Sequence, residues 1–154
     1  MNKYFAEFVG TFFLVLTIGC TVIGHGAGPL APLAIGSALM VMIFAGGHIS
    51  GGHFNPAVTL GVWLRGKCKA KDVAPYMIFQ IAGAVLAAFV VKFLKVGGAV
   101  APLHPATVPA LLAEFLFTFA LVYVVLNVAT AKDTSGNSFY GWRSGSRCWW
   151  GRFP

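Results

Sequence analysis

The chain has 154 residues, 58% of them hydrophobic and only 10% charged, and its mean hydropathy is +0.80. An average soluble domain is about 45–50% apolar and about 25% charged, so an ordinary soluble globular protein is excluded, as is a disordered or collagen-like chain. Eleven Lys and Arg against four Asp and Glu give +7, but Arg143, Arg147 and Arg152 all fall in the last thirteen residues. Set apart from that tail, the positive excess reads as membrane orientation rather than as a nucleic-acid footprint.

At about 20 apolar residues per span plus a connection, the length holds roughly four or five membrane helices and no separate soluble domain. The first apolar run, 4–24, follows Met1-Asn-Lys and carries Glu7. It is longer than the core of a signal peptide and no small-x-small cleavage site follows it, so it is expected to be a retained span. Next comes a segment, 31–64, of 34 residues without a single Asp, Glu, Lys or Arg. Gly46-Gly47-His48-Ile49-Ser50-Gly51-Gly52-His53-Phe54-Asn55-Pro56 interrupts it, and one helix is not expected to run through that break. The part over 31–47 is long enough to span. The part over 55–64 offers about 15 Å of helix, half of a bilayer core of about 30 Å, and is predicted to be a re-entrant half-helix.

Further spans are predicted over 73–94 and 108–131, and a possible fifth begins near Ser138. The basic run Arg65, Lys67, Lys69 and Lys71 then lies on the same side as Lys3, whereas the loop over 25–30 has no Lys or Arg. That asymmetry places the N-terminus in the cytoplasm, with Lys92 and Lys95 against the trend. Lipid-headgroup contact is a secondary role for the basic run.

The sequence also repeats itself. Ala6-Glu-Phe-Val-Gly-Thr-Phe-Phe-Leu-Val15 aligns with Ala113-Glu-Phe-Leu-Phe-Thr-Phe-Ala-Leu-Val122 at seven of ten positions, Glu7 falling on Glu114. Three spans separate the copies, so the second starts from the opposite face: an inverted-topology repeat of the kind found in channels and transporters.

The interrupted segment carries the chemistry. Non-helical backbone at membrane depth is tolerated where it faces protein or a water-filled cavity. Pro56, just inside the half-helix, gives up an N–H that has no partner there. Asn55 is placed to cap that end, and its amide can donate into a lumen. A helix N-terminus at mid-membrane carries about half a positive charge, which repels cations and protons. A narrow polar pore for neutral solutes is the expected device. His48 and His53 have no third ligand nearby, and neither a metal nor any other cofactor is expected. Cys20, Cys68 and Cys148 form no metal or disulfide pattern. No nucleophile–base pair or phosphate loop suggests an enzyme.

Ser50-Gly-Gly-His-Phe-Asn-Pro-Ala-Val-Thr59 closely resembles the first signature of the aquaporin, or major intrinsic protein, family. The likeness extends over 1–141 through the span order and the two Ala-Glu-Phe helix starts. It implies an all-α membrane bundle built from an inverted repeat, incomplete here, with homotetrameric assembly for an intact member. By the resemblance, Asn55, Pro56 and Ala57 form the first of two Asn-Pro-Ala boxes, and the carbonyls of Gly51, Gly52, His53 and Phe54 line half of the pore. Glu7 and Glu114 resemble the buried glutamates that brace two re-entrant loops. The pair His53-Phe54 and the short loop over 96–107 resemble water channels more than glycerol facilitators. Ile35 stands where water channels usually place an aromatic filter residue, so glycerol or ammonia remains an alternative solute.

The pattern stops at Gly141. Residues 142–154 contain three Arg and three Trp where a fifth span is expected. A shift of reading frame accounts for this: regrouping the codons turns Cys148-Trp149-Trp150-Gly151 into (Val/Leu/Met)-Leu-Val-Gly. A natural juxtamembrane Trp/Arg anchor is the alternative. With one half-helix in place of two, these 154 residues are expected not to conduct and to be a partial version of a plasma-membrane water channel or a non-functional remnant.

Overall fold

In a computed structural model of the chain, residues 2–24, 26–95 and 106–130 are described. All the regular structure among them is helical: α1 (Lys3–Val22), a 3-10 turn (Gly28–Leu30), α2 (Ala31–Ser50), α3 (Pro56–Leu64), α4 (Ala70–Leu94) and α5 (Thr107–Thr130). The helices α1, α2 (with the turn before it), α4 and α5 are each long and apolar enough to cross a membrane. Their outer faces carry exposed Phe13, Phe44, Phe89, Phe93 and Phe117, a surface suited to lipid rather than water. The expected helix order is therefore present, whereas the residues after Gly141, with their expected change of frame, lie outside the described residues.

Two boundaries differ from the sequence expectation. The helix α2 does not stop at Gly47 but continues to Ser50, so His48 belongs to its last turn rather than to extended chain. The stop comes at Gly51, whose φ of +98° is the left-handed conformation that commonly ends a helix, and whose N–H donates to Gly47 O. The buried glycines before it serve packing: a methyl group on Gly46 would lie 3.4 Å from the Phe54 ring. The helix α4 starts at Ala70 rather than 73, and so takes up the end of the basic run.

Paired contacts give the directions of the helices. Lys3 meets Asp72, Glu7 meets Gln80, the backbone of Phe8 and Phe12 lies against Gly83, and Gly19 lies against Val91. The numbers rise together, so α1 and α4 are parallel. By contrast Gly46, near the end of α2, faces Ala6, near the start of α1, so those two are antiparallel. The chain is thus back at its starting end when α4 begins, and the nine residues of α3 cannot have crossed. Close approach at Gly83 and Gly19 is possible only without side chains: a Cβ on Gly83 would overlap the Phe8 carbonyl, and one on Gly19 would overlap Val91. The remaining helix, α5, packs against α3, where Val122 occupies the space left by the missing side chain of Gly61.

Candidate pore site

The segment between α2 and α3 turns inside the bundle and is held there by one carboxyl group. Glu7 is fully buried on α1. Its Oε1 accepts the His53 N–H at 3.0 Å, and its Oε2 accepts the Phe54 N–H at 2.7 Å. Gln80, fully buried on α4, donates from Nε2 to Glu7 Oε2 at 2.7 Å and to Thr59 Oγ1 at 2.9 Å. One residue on each of two parallel spans thus satisfies the loop. Buried N–H groups left without acceptors would each cost about 1–3 kcal/mol.

Phe54 adds a packing anchor to these polar ones. It is the non-glycine residue with positive φ among those described, at +47°, and its ring is 2% exposed. The ring sits so closely on Gly10 that a Cβ there would overlap it, and it also contacts the Gly46 and Gly52 positions. Burial of an aromatic ring contributes more than the roughly 1–3 kcal/mol that an unfavourable backbone conformation costs. Phe54 therefore holds the turn with its side chain, which leaves its carbonyl, with those of Gly51, Gly52 and His53, as non-helical backbone.

The half-helix α3 starts at Asn55, whose Oδ1 accepts from the N–H groups of Ala57 at 2.8 Å and Val58 at 3.4 Å. Pro56 follows at the first helical position. With Oδ1 engaged in the cap, the amide Nδ2 is the end of Asn55 that the cap does not use. Seven residues separate Lys3 from Gly10, about 10 Å of rise, so the loop over Gly10 and the N-terminus of α3 lie well inside a hydrocarbon core of about 30 Å. At such a depth the positive end of a helix acts with little screening.

A single hydroxyl organises the next layer. Thr59 Oγ1 donates to Asn55 O at 3.1 Å and accepts from Gln80, so its contact with His53 Nδ1 at 3.2 Å is one in which the imidazole donates. At the end of the bundle, Tyr76 OH donates to Ser50 O at 2.6 Å, and its ring lies 5.1 Å from that of His53. Tyr4 packs edge-on to Tyr76 at 5.7 Å and donates its OH to Asp72 Oδ1 at 2.8 Å, while Lys3 Nζ pairs with Asp72 Oδ2 at 2.6 Å.

Asn55, Pro56, Ala57, Gly51, Gly52, His53, Phe54 and Glu7 are thus brought together. Glu114 is exposed on α5 and is not among the residues hydrogen-bonded to this loop. Ile35 is half-buried on α2, eleven residues and about 17 Å of helix rise before Gly46, toward the far end from the loop. The sequence reading missed Gln80, Tyr76, Tyr4 and Asp72. A lone amide inside the apolar run of α4 is the signal that could have found Gln80, since such a group needs partners in a membrane. Among the described residues no three His, Cys, Asp or Glu side chains stand close enough to share a metal ion.

The model of the family described as "Major intrinsic protein" matches residues 1–140. Aquaporin NIP1-4 of Oryza sativa subsp. japonica is 38% identical over 148 residues, covering 89% of this chain and 54% of the relative. Glycerol uptake facilitator protein-like 6 of Lactiplantibacillus plantarum is 42% identical over 150 residues, covering 92% and 69%. Aquaporin Z of Photorhabdus laumondii subsp. laumondii is 45% identical over 105 residues, covering 63% and 45%. The chain spans about half to two thirds of the length of these relatives. With the family model matched over 140 of its 154 residues and a capped half-helix between its second and third spans, the chain belongs to the major intrinsic protein family.

Proposed function

We propose that the chain carries one half of a passive, bidirectional water pore in the plasma, or inner cell, membrane, with its N-terminus in the cytoplasm. Members of the family are channels and not enzymes. The observation that carries the reading is the α3 N-terminus, capped by Asn55 Oδ1 with Nδ2 left to donate, beside a loop whose amides are held by Glu7. In this reading Asn55 Nδ2 and the carbonyls of residues 51–54 replace part of a water molecule's hydrogen bonds, and the positive helix end opposes cations and protons. Ile35 stands at the filter, and Glu114 receives a second loop as Glu7 receives the first. The two half-helices meet only in the larger protein, assembled as a homotetramer, so a polypeptide of these 154 residues does not conduct by itself. A shift of reading frame after Gly141 accounts for the last residues, and resequencing codons 139–155 is expected to reveal it; a clean frame through Pro154 would contradict that.

A facilitator of small neutral solutes is the second reading, supported by the resemblance to a glycerol uptake facilitator-like protein and by aliphatic Ile35. The two separate in a chimera joining residues 1–141 to the remaining C-terminal part of Photorhabdus Aquaporin Z. In stopped-flow measurements on proteoliposomes, water permeability several-fold above empty vesicles without glycerol uptake supports the water reading. Glycerol uptake as fast as water flow would favour the second.

A further inference from the structure

At the end of the bundle where α3 stops and α4 starts, the chain runs Arg65-Gly-Lys-Cys-Lys-Ala-Lys71, four cations in seven residues. The backbone folds this stretch into a hook: Arg65 N–H donates to Gly61 O at 3.0 Å, Gly66 N–H to Trp63 O at 2.8 Å, and Lys67 N–H to Val62 O at 2.9 Å. Gly66, at φ +74°, makes the turn. The side chains of Arg65, Lys69 and Lys71 are exposed. Among the described residues no acidic side chain forms an ion pair with any of the three. Asp72, the acidic residue in the first turn of α4, is already engaged by Lys3 Nζ and the Tyr4 hydroxyl, and Lys69 at the N-cap offers that helix no side-chain acceptor. The other described acidic side chain near this end, Glu7, is buried and holds the loop between α2 and α3.

The surroundings indicate what meets the cations. Lys3 and Asp72 mark the ends of α1 and α4, so the hook lies where the spans leave the hydrocarbon. Directly on its membrane side, the last two residues of α3 expose apolar area, Leu64 at 71% and Trp63 at 39%. Trp side chains favour this depth, and basic side chains beside a span attract anionic headgroups. A zwitterionic headgroup brings no net charge to balance three exposed cations, and a soluble anion would leave Leu64 and Trp63 without a partner.

We propose that Arg65, Lys69 and Lys71 form a docking surface for an anionic phospholipid, its phosphodiester among the three cations and its acyl chain along Leu64 and Trp63. The surface requires only the membrane placement of α3 and α4, and is independent of the solute that the pore conducts.

The test uses the full chain in neutral detergent, titrated with phosphatidylglycerol or with phosphatidylcholine of the same acyl chains, bound lipid being counted by native mass spectrometry. Phosphatidylglycerol is expected to bind at least about tenfold more tightly at low salt, the preference shrinking in about 0.5 M NaCl as the charges are screened. R65Q, K69Q and K71Q each lower that affinity about fivefold, and the triple variant about a hundredfold. K92Q/K95Q, near the other end of α4, leaves it unchanged. Equal binding of the two lipids, wild-type affinity in the triple variant, or an equal loss in K92Q/K95Q would overturn the proposal. So would displacement of the lipid by equimolar inorganic phosphate, because the contact with Leu64 and Trp63 would then contribute nothing.

Discussion

Replacing Glu7 gives two variants of graded severity. In E7A the His53 and Phe54 N–H groups and one N–H of Gln80 lose their acceptor together. All three donors lie in the packed interior, so water cannot readily replace the carboxyl group. At about 1–3 kcal/mol for each unsatisfied donor, the loss is about 3–9 kcal/mol, a large share of the roughly 5–15 kcal/mol that holds a domain folded. In E7Q the amide oxygen can take the place of Oε2, which accepts from Phe54 and Gln80, while the NH2 group faces the His53 N–H and cannot accept it. One bond is lost, about 1–3 kcal/mol, less whatever is gained by removing a carboxylate from low dielectric. Reversible unfolding in mixed micelles of dodecyl maltoside and SDS, followed by circular dichroism, measures both. The expected order is wild type, then E7Q, then E7A. E7A within about 1 kcal/mol of wild type, or E7Q as damaging as E7A, would refute the assignment of the loop's stability to this carboxyl.

Other substitutions test other contacts. G10A places a methyl group inside the Phe54 ring and is expected to cost about 1–3 kcal/mol in the same assay, whereas G46A, with 3.4 Å of clearance, costs clearly less; equal effects would contradict the packing. N55A removes the cap of α3 and is expected to cost about 0.5–2 kcal/mol, with faster hydrogen exchange at Ala57 and Val58; unchanged exchange at both amides would contradict the capping role. G61L puts a branched side chain where Val122 lies, and is expected to abolish crosslinking between cysteines introduced in α3 and α5 while leaving pairs between α1 and α4 intact; retained α3–α5 crosslinks would show that α5 is held elsewhere.

Much of the architecture could be read from the chain because a membrane restricts the choices. Long apolar runs pointed to the spans, and the charge-free run over 31–64, interrupted at 46–56, pointed to the half-helix. Positions within the break were harder. Gly46 and Gly47 read as helix breakers, yet glycine is tolerated inside a membrane helix and here admits the Phe54 ring; the break waits for Gly51, where the backbone turns left-handed. Phe54 is expected, from the family resemblance, to offer its carbonyl to the pore, and that resemblance concerns its backbone alone. Its side-chain role depends on Gly10, which is far off in sequence. The repeat makes the dependence visible: Gly10 aligns with Phe117, so the second copy cannot seat a ring in the same way. Gln80 carried only the weak local mark of a lone amide in an apolar run and Tyr76 carried none, and their importance arises when α1 and α4 run parallel and bring them beside Glu7 and Ser50.

Osmotic swelling of proteoliposomes bears most directly on the claim that this chain holds one half of a pore. Vesicles containing the 154-residue chain are expected to swell no faster than empty ones, and vesicles containing the chimera with an Aquaporin Z C-terminal half are expected to swell several-fold faster. Rapid swelling with the chain alone, or none with a folded chimera, would contradict the account.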